Sequence, residues 1–247
     1  MSERELAGRV AIVTGASRNL GRGIAQMLGR LGARVLVHHH GGPAAKEAAR
    51  AVAAAGGEAL TCAADLAEPR EVTALVERAL EHYGRFDILI NNAGIILKKP
   101  FAEISDEEYD RVFAVNAKAP FLLMRSAARH MAEGGRIVNV ATSILACSFP
   151  FYSVYAASKG ALEHYGRALA KELAERRITV NTVAPGALDT PFFHAAETAE
   201  SVNAIKQFTG GLGGVQDVVP TVEFLVKPSA RWFSGQTLFV NGAFVAR

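Results

Sequence analysis

Seven short runs of aliphatic and β-branched residues, at 9–14, 33–38, 58–65, 86–91, 135–142, 178–185 and 236–242, constrain this chain more than any other feature. Successive residues in them are apolar, the pattern of strands buried on both faces. Between them lie segments of helical periodicity, at 21–31, 44–55, 69–83, 106–132 and 153–176 among others. Strict alternation of strand and helix predicts an α/β fold: a doubly wound parallel sheet of about seven strands with helices on both faces. With 247 residues, half of them hydrophobic, and no linker or internal repeat, one domain over 1–247 is expected. Residues 190–214 are less regular. A long irregular segment inside a compact domain is either a lid over a binding site or a solvated insertion, and the lid is the favoured reading.

Composition excludes several classes. A net charge of +3, spread along the chain, argues against a nucleic-acid partner, which needs Lys and Arg crowded on one face. The charged start and the lack of any run near ~18 apolar residues argue against a leader or a membrane span, so a cytoplasmic protein is expected. Cys62 and Cys147 are isolated and suit small core positions better than a zinc site or a disulfide.

Three places carry chemistry. The first predicted strand runs through Thr14 into a glycine-studded turn and then a helix, the context in which backbone amides cradle phosphate. The candidates there are Gly15, Ser17, Arg18, Asn19, Leu20 and Gly21, with a purely steric tight turn as the competing explanation. Tyr155 and Lys159 stand four residues apart on a predicted helix and share a face. A neighbouring ammonium pulls a phenol pKa down from ~10, which suits a general acid or base; an exposed Tyr–Lys pair is the plainer alternative. Finally, His38, His39 and His40 close the second predicted strand. On a strand the first and third share a face, so at most two converge on one ion, and no Cys or Glu is adjacent to complete a tetrahedral set. No metal site is expected.

Taken in order, "TGASRNLG", "NNAG" (91–94), Asn116 in "VNAKAP", "YAASK" (155–159) and "VAPGALDTP" (183–191) resemble the short-chain dehydrogenase/reductase family across nearly the whole chain. The resemblance implies a single-domain Rossmann fold and nicotinamide-dependent interconversion of a carbonyl and an alcohol. It implies Tyr155 as the general acid or base, Lys159 as the group that lowers its pKa and holds the nicotinamide ribose, and Asn116 as support for a helix distortion beside the lysine. The substrate-orienting hydroxyl falls at Thr142, with Ser143 next to it as the competitor. In the family's T-G-x-x-x-G-x-G loop the middle glycine is Asn19, the residue type after glycine that best tolerates positive φ. The same resemblance assigns Asn91, Ala93 and Gly94 to the cofactor crevice, Asp65 and Leu66 to its adenine end, Pro185 and Gly186 to the nicotinamide, and Thr190 to the carboxamide. For Asp65 a loop aspartate capping the next helix is the alternative.

NAD-preferring relatives place a carboxylate near the end of the second strand, and here that position falls on His39. With no carboxylate there, and Arg18 in the loop to meet a 2′-phosphate, NADP(H) is expected over NAD(H), with His39 and His40 as further phosphate contacts. Phe149, Phe151, Tyr152, Phe192 and Phe193 flank the reaction centre and suggest an apolar or aromatic small-molecule carbonyl substrate; packing of a loop or subunit interface would explain them equally. The pattern also resembles the 3-oxoacyl carrier-protein reductase branch, for which Glu175, Arg176 and Arg177 would offer basic charge to an acidic carrier. Relatives form dimers and tetramers through long helices, so 106–132 and 153–176 are the candidate contact surfaces. A dinucleotide-sensing protein without turnover is the alternative to an enzyme, but Tyr155 and Lys159, the first residues such a protein would lose, are both present.

Overall fold

The computed structural model describes residues 4–246. Strands β1 (Val10–Val13), β2 (Arg34–His39), β3 (Glu58–Ala63), β4 (Ile88–Asn91), β5 (Arg136–Val140), β6 (Thr179–Pro185) and β7 (Thr237–Val240) form one sheet in the order β3-β2-β1-β4-β5-β6-β7. Every pairing is parallel. All seven apolar runs therefore become strands, but burial on both faces holds only for the inner ones. The edge strands β3 and β7 are partly exposed, because each has a neighbour on one side only.

Helices α1 (Asn19–Arg30), α2 (Ala44–Ala54), α3 (Pro69–Tyr83), α4 (Asp106–Phe113), α5 (Ala119–His130), α6 (Ser153–Glu172), α7 (Pro191–His194), α8 (Ala199–Thr209) and α9 (Val215–Val226) cover the sheet. The two-residue period of the strands divides the core. Ala11, Val13, Val35 and Val37 pack with α1, α2 and α9, while Val10, Ile12 and Leu36 pack with α3 and α5. Such burial on both faces supplies most of the fold's stability.

Two helical expectations need correction. The segment 106–132 is one path broken by a π-helical turn at Ala114–Lys118, between α4 and α5. The segment 190–214 is not irregular throughout: it contains α7 and α8, the latter started by a Thr198–Ser201 capping box. Its short helices lack a long apolar stripe, so periodicity passes over them. No helix among the described residues is long and apolar enough to cross a membrane. Because β1 lies between β2 and β4, the chain switches direction there, and the carboxyl ends of β1 and β4 open a crevice.

Candidate active site

The crevice floor is stitched from two loops. The Thr14 hydroxyl accepts the N–H groups of Asn92 (2.9 Å) and Ala93 (3.0 Å), and the Asn92 amide donates to the Thr14 carbonyl (2.9 Å) and the Gly15 carbonyl (3.3 Å). Gly15 turns at φ +63°, and Asn19 opens α1 at φ +48°, so asparagine keeps the left-handed backbone of the glycine it replaces. A Cβ at Gly21 would collide with the Gly15 carbonyl and the Asn92 amide, so the helix start lies tight against the turn. No side chain caps α1 and no acidic residue occupies its first turn. Its leading N–H groups and positive dipole end are left for an anion, and exposed Arg18 stands at the cap position. Ser17 is half-buried in the same turn, and Leu20 is buried beneath it.

The histidines separate. His38 is buried with its ring bonded to the Gly15 N–H and the Ala64 carbonyl. His39 is half-buried and its Nδ1 has no protein partner, while His40 is exposed beyond the end of β2. Asp65 accepts from the Ala67 N–H (2.9 Å) and from Arg111 of α4 (2.9 Å to each oxygen). The Arg111 guanidinium holds its carboxyl below the ordinary value. It folds the turn ahead of α3 instead of capping that helix, whose cap position is Glu68. The side chains of Asn91 and Leu66 do not reach the crevice. Asn91 is buried and donates to Asn139 (2.8 Å), and Leu66 packs in the core with Val72 and Leu75, so only their backbones can face a ligand.

At the other end, α6 presents Tyr155 and Lys159 on one buried face. Lys159 donates to the Val140 carbonyl (2.9 Å), and burial lowers its pKa to about 8. Burial pushes Tyr155 up to about 12, opposed by a hydrogen bond with Thr142. The expected lowering of the phenol pKa by the lysine is not seen in this structure: burial raises it against the Thr142 hydrogen bond, and the ammonium is turned toward a carbonyl. The two candidate hydroxyls separate as well. Ser143 donates to the Ala184 carbonyl (3.0 Å) and is buried under the loop, which leaves Thr142 as the hydroxyl on Tyr155.

Asn116 lies in the π turn with no exposure; it accepts from the Ile95 N–H (2.9 Å) and donates to the Ile95 carbonyl (2.9 Å) and to Ser158 (3.1 Å). A Cβ at Gly94 would stand 3.0 Å from the Lys159 Nζ and 3.2 Å from the Asn116 Oδ1, so a side chain there would press on both groups. Ala93 precedes it on the Thr14 hydroxyl. Pro185 ends β6, Gly186 donates to the Val240 carbonyl (2.9 Å), and Thr190 caps α7 with its hydroxyl turned to the Phe193 N–H (3.4 Å). Loop, Tyr–Lys wall and the small Gly94 together have the chemistry to hold a nicotinamide dinucleotide.

Comparison with known proteins agrees. A family model described as enoyl-(acyl carrier protein) reductase matches residues 15–244. A short-chain type dehydrogenase/reductase from Picea abies is 42% identical over 97% of this chain and 93% of its own length. A putative dehydrogenase from Burkholderia cenocepacia, solved with bound NADP, superposes with a TM-score of 0.95 at 40% identity, covering 100% of this chain and 97% of that one. This chain is a short-chain dehydrogenase/reductase. A further similar structure, the landomycin C-6 ketoreductase LanV with bound NADP and rabelomycin, has a TM-score of 0.87 at 38% identity and 97% coverage of each chain. As a short-chain dehydrogenase/reductase the protein is an NAD(P)-dependent oxidoreductase.

Next to Tyr152 and Tyr155 this short-chain dehydrogenase/reductase holds buried charged residues that sequence reasoning missed. Glu197, between α7 and α8, has a side chain only 3% exposed. It accepts from Lys98 (2.6 Å), Ser201 (2.5 Å) and the Tyr152 hydroxyl. Burial alone would raise its pKa, but these donors hold it below the ordinary value. The Tyr152 ring lies 6.1 Å from that of Tyr155. The aromatic residues do not converge as one apolar wall. Phe149 stacks on Phe244 at 5.7 Å, Phe193 packs edge-on to His194, and Phe151 and Phe192 are exposed. A Lys–Glu–Tyr set scattered over residues 98, 152 and 197 leaves no local sequence signal.

Proposed function

We propose that this enzyme reduces the carbonyl of a ketone or aldehyde at the expense of NADPH, or runs the reverse oxidation. The bound dinucleotide supplies or accepts a hydride at the carbonyl carbon. Tyr155, kept protonated by burial, gives its proton to the carbonyl oxygen, and Thr142 donates its one hydroxyl hydrogen to that oxygen. Lys159 holds the ribose and, while charged, favours the phenolate; Asn116 keeps the π turn and Ser158 in place beside it. The observation that carries this reading is the convergence of buried Tyr155, Lys159 and Thr142 on one wall of a dinucleotide crevice.

Preference for NADP(H) rests on Arg18, exposed at the start of α1, and on the end of β2, where His39, its Nδ1 buried without a protein partner, and exposed His40 stand in place of a carboxylate, while nearby Asp65 is engaged by Arg111. Asp65 and Leu66 would border the adenine, Asn91, Ala93 and Gly94 the middle of the cofactor, and Pro185, Gly186 and Thr190 the nicotinamide. The segment 190–214 serves as the lid, tied down through Glu197.

A small-molecule ketone is the substrate class best supported, since the similar LanV is a ketoreductase solved with rabelomycin. A carrier-protein substrate suits it less: Arg176 is spent on the Ala128 and Met131 carbonyls and Arg177 pairs with Glu133, so this helix end offers no free basic pair. Exposed Tyr109 and Phe121 beside a groove of about 470 Å³ between α4 and α6 support self-association through these helices. NADPH consumption over a panel of aliphatic and aromatic ketones tests the assignment. Turnover of none of them, in either direction, would overturn it.

A further inference from the structure

We propose that His38 is a positioning residue for the dinucleotide, its neutral ring holding the first turn of the glycine loop in the shape that receives phosphate. The proposal rests on the cofactor lying against that loop. By the two-residue period of β2, His38 shares a face with Leu36 and is carried under the loop instead of out to the crevice with its neighbours.

Three bonds converge on it. The Gly15 N–H donates to Nδ1 (3.0 Å), Nε2 lies 3.1 Å from the Ala64 carbonyl, and the Ala16 N–H donates to the His38 carbonyl (2.8 Å). A carbonyl only accepts, so Nε2 carries the ring hydrogen and Nδ1 keeps a lone pair. The tautomer is thereby set by the fold, and the ring bridges the ends of β1, β2 and β3. With the Thr14 N–H bonded to the Ile90 carbonyl, three successive amides of the turn are satisfied on its inner side. The uncapped amides at the start of α1 remain for the ligand.

The surroundings keep the ring neutral. Burial above all, with smaller contributions from His39 and His40, lowers its pKa to about 4 against the opposing Ala64 carbonyl and Asp65. A protonated ring would aim an N–H at the Gly15 N–H and release the turn. Nothing in the glycine motif itself signals this residue, which lies 23 positions downstream of Gly15.

The test compares His38→Leu with His38→Asn by titrating NADPH against each purified variant and following cofactor fluorescence. The asparagine Oδ1 stands the same number of bonds from the backbone as Nδ1 and can still accept from Gly15. Loss of the acceptor should weaken NADPH about tenfold in His38→Leu, and His38→Asn should recover to within about threefold of the native protein. If His38→Leu is not recovered folded, His38→Val, smaller and strand-favouring, takes its place. Native affinity in the apolar variant would overturn the proposal. So would an equal loss in both variants with equally lowered melting temperatures, which marks a packing role only. Failure of the native protein to bind NADPH would instead remove the cofactor reading on which the proposal stands.

Discussion

His38 and Lys159 are both bases buried beside one crevice, and burial moves both toward the neutral form, His38 down to about 4 and Lys159 down to about 8. At the phosphate end the neutral form is the useful one, because Nδ1 must accept from Gly15. At the reactive end the charged form is useful, and desolvation works against it. The Val140 carbonyl offsets part of that cost, and ribose hydroxyls would offset more in the holoenzyme. The same physical effect therefore stabilises one half of the site and limits the other. The proposed halves also differ in how they are held: the glycine-loop end by backbone amides and strand ends, the Tyr155 end by a charged Glu197–Lys98 pair reaching between loops.

Tyr155→Phe should give the largest effect, a loss of turnover of about a thousandfold with NADPH affinity unchanged. Stopped turnover with intact binding in a fluorescence titration would show that the two halves are separable; surviving turnover would break the assignment. Next, kcat/KM for ketone reduction should fall tenfold per pH unit above about 8. Lys159 loses its proton there, whereas Tyr155, near 12, still holds its own. A plateau to pH 10 would show that Lys159 charge is not limiting.

Arg18→Ala should weaken NADPH about tenfold and leave NADH nearly unchanged, as a lost charge-assisted phosphate contact requires. Parallel losses for both cofactors would remove the 2′-phosphate from the argument. A smaller effect is expected of Glu197→Gln: KM for the ketone rises about fivefold while NADPH affinity holds, since only the substrate half is loosened. An equal effect on NADPH would erase the distinction between the halves.

A separate effect, on stability and not on activity, tests the phosphate half alone. Between pH 6.5 and about 4 the unfolded chain binds a proton at His38 that the folded chain refuses, so stability falls as pH drops through this window. The contribution is at most about 3 kcal/mol, and His38→Asn should remove it, flattening the melting temperature against pH relative to the native protein. Identical profiles would deny His38 its buried, neutral state.

Much of this was legible in one dimension. The apolar runs set seven strands, and the alternation with helices set their parallel order, because a strand buried between two helical layers has to be apolar along its length. The i,i+4 spacing placed Tyr155 and Lys159 on one face, because a helix turns every 3.6 residues. Asn19 carried its left-handed backbone as its residue type allows. What the tertiary structure alone decided were matters of long-range pairing. Of three adjacent histidines it chose His38 for the loop, because only that ring meets both Gly15 and Ala64. Of two adjacent hydroxyls it turned Thr142 to Tyr155 and Ser143 to Ala184. It buried the tyrosine, which pushes its pKa upward, and desolvation depends on everything packed around a group, which no local spacing records. Glu197 found its partners across a separation of 99 residues to Lys98, a contact that exists only once the sheet has brought three loops to the same edge.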